Sequence, residues 1–375
     1  MKETVKQVLS RSPFLYRQAR GMYRGWNAAA ARLRRTAPSD GHLSSQPPPE
    51  TPATQAPVTQ TSVTETSSRP VPPAPIVPPG VKILSTLEEL DRYLQMANEA
   101  ALRSDDDLRK VLASFEFRRE RASKLDPYSD EYAREQHELY LHIAGVESYS
   151  PQNERSLWLK DLANAARQPF PYYTRSAETV GDQIMALGFI IKTMNLPSGA
   201  SILEFGAGWG NTSINLARMG YAVTAVDIEP RFLDLINERA TMLGLPVETV
   251  CQNFGPVLDD DGAPRVFDAV LFYESFHHCS DHRKLVLQLR SMIKDDGIVV
   301  FASEPILDSF PLPWGLRLDG MSAWSIRSFK WLELGFQESY FRGLMAKNGW
   351  SVTKYTCADT HLGVIFVARK AAPQT

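Results

Sequence analysis

Between Ile202 and Asn211 the chain reads Ile-Leu-Glu-Phe-Gly-Ala-Gly-Trp-Gly-Asn, an apolar run that meets an acid and then places a glycine at every second position. Few backbones satisfy that pattern. The apolar run predicts a buried strand ending at Glu204. Gly206, Gly208 and Gly210 predict a turn that enters left-handed conformations and lets main chain approach a ligand with no Cβ in the way. Apolar positions at Ile214, Leu216 and Ala217 predict the helix that follows. A second strand, Ala222–Val226, runs into Asp227, nineteen residues after Gly208. A carboxylate there can accept hydrogen bonds from both hydroxyls of a ribose. Two neighbouring strand ends of this kind make a nucleoside site at the carboxyl edge of a sheet.

The same rhythm continues along the chain. Short runs rich in Val, Ile and Phe at Ser201–Phe205, Ala222–Val226, Ala269–Tyr273, Ile298–Ala302, Ser351–Cys357 and Gly363–Ala368 are separated by helical stretches. Strand–helix alternation predicts an α/β, doubly wound, mostly parallel sheet covered on both faces, occupying residues 151–375. The last two strands are joined by about five residues, Ala358 to Leu362. That is too short for a right-handed crossover, so they are expected to pair as an antiparallel hairpin.

Three segments precede this unit. Residues 1–36 are basic: nine Lys and Arg against the single acid Glu3. Leu15, Ala19, Met22, Trp26, Ala30 and Leu33 recur there at helical spacing, as expected of an amphipathic segment that docks on an anionic membrane surface or on a partner, or of a solvated, partly helical tail. Residues 37–80 hold twelve of the chain's 26 prolines, with Ser, Thr and Gln and no aromatic residue. Such a segment buries too little surface to offset its ordering entropy, and it reads as an extended, disordered linker. Residues 81–150 read as helices, with starts signalled by Ser85 and Glu88, by Ser104 and its following aspartates, and by Ser129. No chemistry is visible in this helical region, which reads as a cover or docking element.

Composition excludes several classes. A net charge of −2 over 375 residues argues against a dedicated nucleic-acid binder. Three cysteines without a C-x-x-C pair argue against a disulfide scaffold or zinc module and for a reducing compartment. No run of about eighteen apolar residues predicts a membrane span. The expectation is a cytoplasmic protein, peripheral to the inner membrane surface if the basic segment docks there.

The choice of nucleoside turns on spacing. Dinucleotide binders favour G-x-G-x-x-G, but the third glycine position is Asn211 here, and no P-loop Lys-Ser or Lys-Thr follows. At this point the chain resembles the class I S-adenosylmethionine-dependent methyltransferases over about residues 180–370. The resemblance rests on Glu204 to Gly210, Asp227, the run Phe267-Asp-Ala-Val-Leu-Phe-Tyr-Glu-Ser-Phe-His-His278, and Lys294-Asp-Asp-Gly297, in that order. It implies a seven-stranded, Rossmann-like methyltransferase fold with an antiparallel last strand, and S-adenosyl-L-methionine as cofactor. It also implies roles. The loop with Gly206, Ala207, Gly208 and Gly210 passes under the methionine part, with Glu204 near its amino group. Asp227 holds the ribose and Ile228 lies against the adenine. Asn253 and Phe254 face the adenine ring, although the family commonly has Asp in place of Asn253. Tyr273 and Glu274 border the sulfonium and the acceptor. Upstream, Arg175 after Tyr172 and Tyr173 pairs with the cofactor carboxylate or makes a surface ion pair.

A sulfonium is an activated methyl donor, so the protein must chiefly align donor and nucleophile for in-line displacement. A base is needed when the nucleophile is a hydroxyl. His277 and His278 follow the fourth strand, and Glu304 ends the fifth; these three are the candidate bases, with local packing as the alternative for either histidine. A metal cluster among His277, His278, Cys279, Asp281 and His282 matches no zinc spacing, and helix capping by Ser280 or Asp281 explains the polar residues. After the fifth strand an insertion carries Phe310, Trp314, Trp324, Phe329 and Trp331 among Arg and Lys. These rings shape a pocket for a sugar or other ring-bearing acceptor, or pack as a lid.

The layout is similar to bacterial methyltransferases of polysaccharide or glycan assembly, through Tyr172 to Arg175, the His pair and the Trp/Arg insertion. The sequence thus leads to O-methylation of a sugar or glycan hydroxyl, with a small molecule, lipid or protein as alternative acceptors. A cofactor-binding scaffold without turnover is the reading from another class.

Overall fold

A computed structural model describes residues 80–118, 123–155, 161–168 and 177–372. The basic segment, the linker up to residue 79, and Tyr172, Tyr173 and Arg175 lie outside the described residues.

The first unit is not purely helical. Strand β1 (Lys82–Leu84) precedes helices α1 (Leu87–Arg103) and α2 (Asp105–Leu112), and β2 (Phe115–Phe117) then pairs in parallel with β1 before α3 (Asp130–Ala144). Both strands are too short to show a period in sequence. They displace the first cap by one residue: Thr86, not Ser85, accepts from the Glu89 N–H, and the Glu89 carboxylate takes the Ser85 N–H at 2.9 Å. Ser104 and Ser129 cap α2 and α3 as expected.

Helices α4 (Leu162–Arg167) and α5 (Ala177–Met194) lead to β3 (Ser201–Phe205), α6 (Asn211–Arg218), β4 (Ala222–Asp227), α7 (Pro230–Leu243) and β5 (Val247–Cys251). The chain then returns through β6 (Phe267–Tyr273), α8 (His282–Met292) and β7 (Ile293–Ala302). An insertion of β8 (Trp314–Leu316), α9 (Gly320–Phe329) and β9 (Leu334–Phe336) precedes α10 (Glu338–Lys347), β10 (Trp350–Thr356) and β11 (Val364–Lys370).

Seven strands form the main sheet in the order β10-β11-β7-β6-β3-β4-β5. β11 is antiparallel to both neighbours, and the other main-sheet pairings are parallel. This is an open, doubly wound, Rossmann-like arrangement, with the last strand reversed as the short connection requires. β5 escaped the apolar-run criterion because it is a half-buried edge strand, with Glu248 and Thr249 among its apolar residues.

Alternation along the strands divides the core. Leu203, Phe205, Val270, Phe272, Val299 and Phe301 face one side, while Ile202, Ala269, Leu271, Ile298 and Val300 face the other with Ile190 and Met194 of α5. The first cluster continues without a break into Leu90, Leu94, Tyr132 and Tyr140 of the N-terminal unit. That unit also grips the insertion by hydrogen bonds. Tyr132 Oη donates to Trp314 O and Tyr140 Oη to Lys330 O, both at 2.6 Å, and Arg327 makes a two-pronged pair with Asp91 at 2.9 and 3.0 Å. Among the described residues no helix is long and apolar enough to cross a membrane.

Candidate active site

The order of the main sheet reverses beside β3: β4 and β5 lie on one side, β6 and β7 on the other. Chains diverge at such a point, leaving a crevice at the carboxyl ends of the strands. The glycine loop occupies it. Gly206, Gly208 and Gly210 have φ of 66°, 54° and 73°. A Cβ on Gly206 would stand 2.5 Å from Ser275 Cβ, and one on Gly210 would stand 2.3 Å from Ile236 Cγ1. Two of the three glycines are therefore required by packing against β6 and α7 as well as by backbone conformation.

Asp227 ties the loop to the neighbouring strand. One of its carboxylate oxygens accepts from Gly208 N at 2.8 Å and the other from Glu229 N at 2.9 Å. Gly206 N and Ala207 N donate to Val226 O. Buried Arg239 closes the far end, donating to Trp209 O at 2.7 Å and to Asn211 Oδ1 at 2.8 Å. Sequence reasoning missed Arg239, an ordinary basic residue in an amphipathic helix.

Glu204 is buried. It lies on the face of β3 opposite Leu203 and Phe205, where its carboxylate accepts the Ser213 hydroxyl of α6. Burial pushes its carboxyl up to about 7, against the lowering effect of hydrogen bonds from Ser213 and Thr212. It is not among the residues lining the crevice.

The crevice is an open cleft beside the glycine loop. Of the residues singled out from the sequence, Gly206, Asp227, Ile228, Asn253, Phe254 and His278 line it. Ala207, Gly208 and Gly210 support it from within the loop. Tyr273 packs with the opposite cluster, on the α5 side of the sheet, because the side chain after Phe272 must point the other way. Tyr149, Glu154 and Trp331 complete the far wall. Neither Tyr149 nor Glu154 carried a signal in sequence beyond the Ser150-Pro151 start of a 3-10 turn over Pro151–Glu154.

The candidate bases separate sharply. β6 and β7 each end on a non-glycine residue in the left-handed region, Glu274 at φ 52° and Ser303 at φ 53°. These turns bring the 3-10 turn Phe276–His278 against Glu304. Glu304 accepts Ser275 N and Phe276 N at 2.8 Å each and His277 N at 3.2 Å, and its Oε2 lies 2.7 Å from His277 Nδ1. Burial pushes its carboxyl up to about 7. Glu304 is therefore a clamp on the turn rather than a group open to an acceptor. His277, 3% exposed, points its Nε2 at Glu333, 3.8 Å away. His278 borders the cleft, with Nδ1 3.4 Å from Glu154 Oε2.

The Cys/His run disperses. His282 turns inward to Tyr340 Oη at 3.0 Å, and burial pushes its imidazole down to about 3. Burial likewise pushes the Cys279 thiol up. Asp281 caps α8 by accepting Lys284 N. Of the insertion's rings, Trp314 and Trp324 are buried against the N-terminal unit, and Trp331 reaches the cleft.

Residues 202–297 match the family model described as Methyltransferase domain. The chain is 24% identical over 126 residues to the ubiquinone biosynthesis O-methyltransferase of Pasteurella multocida, covering 32% of this chain and 52% of that protein. It is 32% identical over 111 residues to the enzyme of the same name from Xylella fastidiosa strain M23, covering 30% and 44%. The chain thus spans about half the length of the curated relatives it matches. A solved SAM-dependent methyltransferase from Aquifex aeolicus is similar at 18% identity, covering 48% of this chain and 87% of that one, with a TM-score of 0.35.

Proposed function

We propose that this chain, whose residues 202–297 match a methyltransferase domain, is an S-adenosylmethionine-dependent methyltransferase that acts on a hydroxyl of a small ring compound. One observation carries the reading: a single cleft joins a ribose-accepting carboxylate, Asp227, to an imidazole, His278, across the glycine loop.

The donor set fits the cofactor. The Asp227 carboxylate stands at the end of β4, where a ribose is held. Ile228 and Phe254 give apolar faces for a purine. Gly206 leaves main chain open to the cleft, and Ser275 and His278 stand beyond it. When bound, S-adenosylmethionine supplies a methyl group on a cationic sulfur, which keeps the S–C electron pair as the methyl leaves. His278 takes the proton that the acceptor hydroxyl loses as its oxygen forms the new O–C bond. His277 and Glu304 act behind it, fixing the turn that carries His278.

The acceptor is read from the far wall. Tyr149 and Trp331 line the cleft beside Glu154 and His278, an aromatic and hydrogen-bonding wall that suits a planar, hydroxyl-bearing ring. The O-methyltransferase relatives favour such a small ring compound over the sugar or glycan anticipated from sequence. Burial of Trp314 and Trp324 removes two of the rings on which the sugar expectation rested. We keep the basic residues 1–36 as a docking segment for an anionic membrane surface or a protein partner, joined by the linker to the folded remainder.

Transfer of labelled methyl from S-adenosylmethionine into fractions of a cell extract tests the reading. Label is expected in small molecules and is lost with Asp227→Ala. Label in glycan or protein moves the acceptor. Cofactor binding without label in any fraction favours a scaffold without turnover.

A further inference from the structure

The far wall of the cleft comes from a segment that the glycine-loop architecture does not require. Residues Tyr149–Arg155 run across the mouth of the main sheet and are fastened at two points. Glu154 Oε1 accepts Leu332 N at 2.9 Å, and Arg155 Nε donates to Ile228 O at 2.9 Å. With Oε1 held by a backbone donor the carboxylate cannot rotate freely, and Oε2 is left facing His278 Nδ1 at 3.4 Å. The Glu154 side chain is 8% exposed, so the pair is shielded from solvent screening. Trp331 stands edge-on to the His278 ring, with centroids 6.3 Å apart.

We infer that Glu154 is the positioning residue for His278, fixing the imidazole with Nδ1 toward the carboxylate and Nε2 as the nitrogen that accepts the acceptor's hydroxyl proton. This rests on the methyltransferase reading above and adds to it a residue from outside the glycine-loop unit. The chemistry is general. A carboxylate on one ring nitrogen selects the tautomer in which the other carries the lone pair, and it stabilises the imidazolium formed when a proton arrives. The groups surrounding His278 are Glu154 on the strap, Glu304 after β7, Glu333 before β9 and the His277 ring at 4.2 Å, with Arg317 beside Glu333. Of the carboxylates, Glu154 is the one ion-paired to His278 and lining the cleft. Glu304 and Glu333 ion-pair with His277 and also act electrostatically on His278, but neither lines the cleft. Because the strap also holds Ile228 O, proton acceptance and the adenine wall are built on one segment.

The test is a pH titration of the full-length protein with labelled histidine followed by heteronuclear NMR, the His278 signal being assigned with His278→Gln. In the unsubstituted protein the neutral ring is expected as the Nδ1–H tautomer. Glu154→Gln should lower the His278 pKa by about 1 unit, since a nearby negative charge is lost, and shift the tautomer toward Nε2–H. Glu154→Asp, whose shorter side chain sets the charge farther from the ring, should restore about half of that change and leave a shift of about half a unit. S-adenosylmethionine binding should persist in both variants, because the Arg155 bond to Ile228 O that holds the adenine wall is left in place. An unchanged His278 pKa and tautomer in Glu154→Gln overturns the inference. If that variant does not fold, Glu154→Asp is read against the unsubstituted protein: a shift of about half a unit supports the inference, and none overturns it. Absence of S-adenosylmethionine binding by the unsubstituted protein defeats the methyltransferase reading instead, and leaves the coupling of Glu154 and His278 measurable.

Discussion

His277 Nδ1 and Glu304 Oε2 stand 2.7 Å apart with both side chains sealed from solvent, although the two residues leave different strands. The contact is possible because β6 and β7 both end in left-handed turns, at Glu274 and Ser303. Residues in that region cost about 1–3 kcal/mol each and persist where the surroundings over-determine them. Here the surroundings are one carboxylate collecting three backbone N–H groups and an imidazole.

Glu304→Ala is therefore expected to destabilise the fold by roughly 3–5 kcal/mol, because three buried donors lose their acceptor at once. Glu304→Gln keeps part of the geometry and should cost less. Chemical denaturation of both variants measures the difference, and equal stability would remove the clamp from consideration.

The loop gives a second expectation. Gly210→Ala places a Cβ against Ile236 in a backbone conformation with φ of 73°. A loss of about 2–4 kcal/mol follows from strain and overpacking together. Ile236→Ala removes the clash but is itself costly at a fully buried position. In a double-mutant cycle followed by thermal unfolding, Gly210→Ala should therefore cost less in the Ile236→Ala background, whereas a purely conformational penalty would be the same in both.

Asp227→Asn keeps the size of the side chain but replaces one acceptor oxygen by a donor. Gly208 N and Glu229 N then compete for one acceptor. S-adenosylmethionine affinity should fall about 10–100-fold, the worth of one or two charge-assisted hydrogen bonds, as measured by calorimetry.

Glu204 predicts a pH dependence. Its folded carboxyl is raised to about 7 from an ordinary 4.5. The folded state therefore holds the proton more tightly. The resulting stability is fully present below about 4.5 and is lost as pH rises through about 7. The contribution is at most roughly 3 kcal/mol. Glu204→Gln should lack this component, so its stability from pH 4.5 to 7.5 falls less steeply than that of the unsubstituted protein in parallel urea titrations.

Much of this fold is legible in sequence where signals are local. The strand starting at Ser201 ends at Phe205, one residue past Glu204, and the strand from Ala222 gains Asp227. In both, burial on two faces writes a continuous apolar run. β5 was lost because an edge strand needs only half such a run, and β1 and β2 because three residues carry no period. The glycine loop and Asp227 were legible for the same local reason. Ranking His277 against His278 was not, since adjacent residues in a 3-10 turn point in different directions and only Glu304, Glu333 and Glu154 decide which ring faces which acid. Glu154 and Arg239 reach the site from distant parts of the chain, and no local pattern records that.

The hydrophobic cluster that passes unbroken from Leu90 and Tyr132 into Phe272 and Phe301 has a thermodynamic consequence. Elements that share one core cannot melt in turn, since losing either strips the apolar partners of the other. The N-terminal helices, the insertion and the central sheet should unfold in a single calorimetric transition, and a cut between α3 and the 3-10 turn that carries Glu154 should unmake the acceptor wall and the cofactor shelf together.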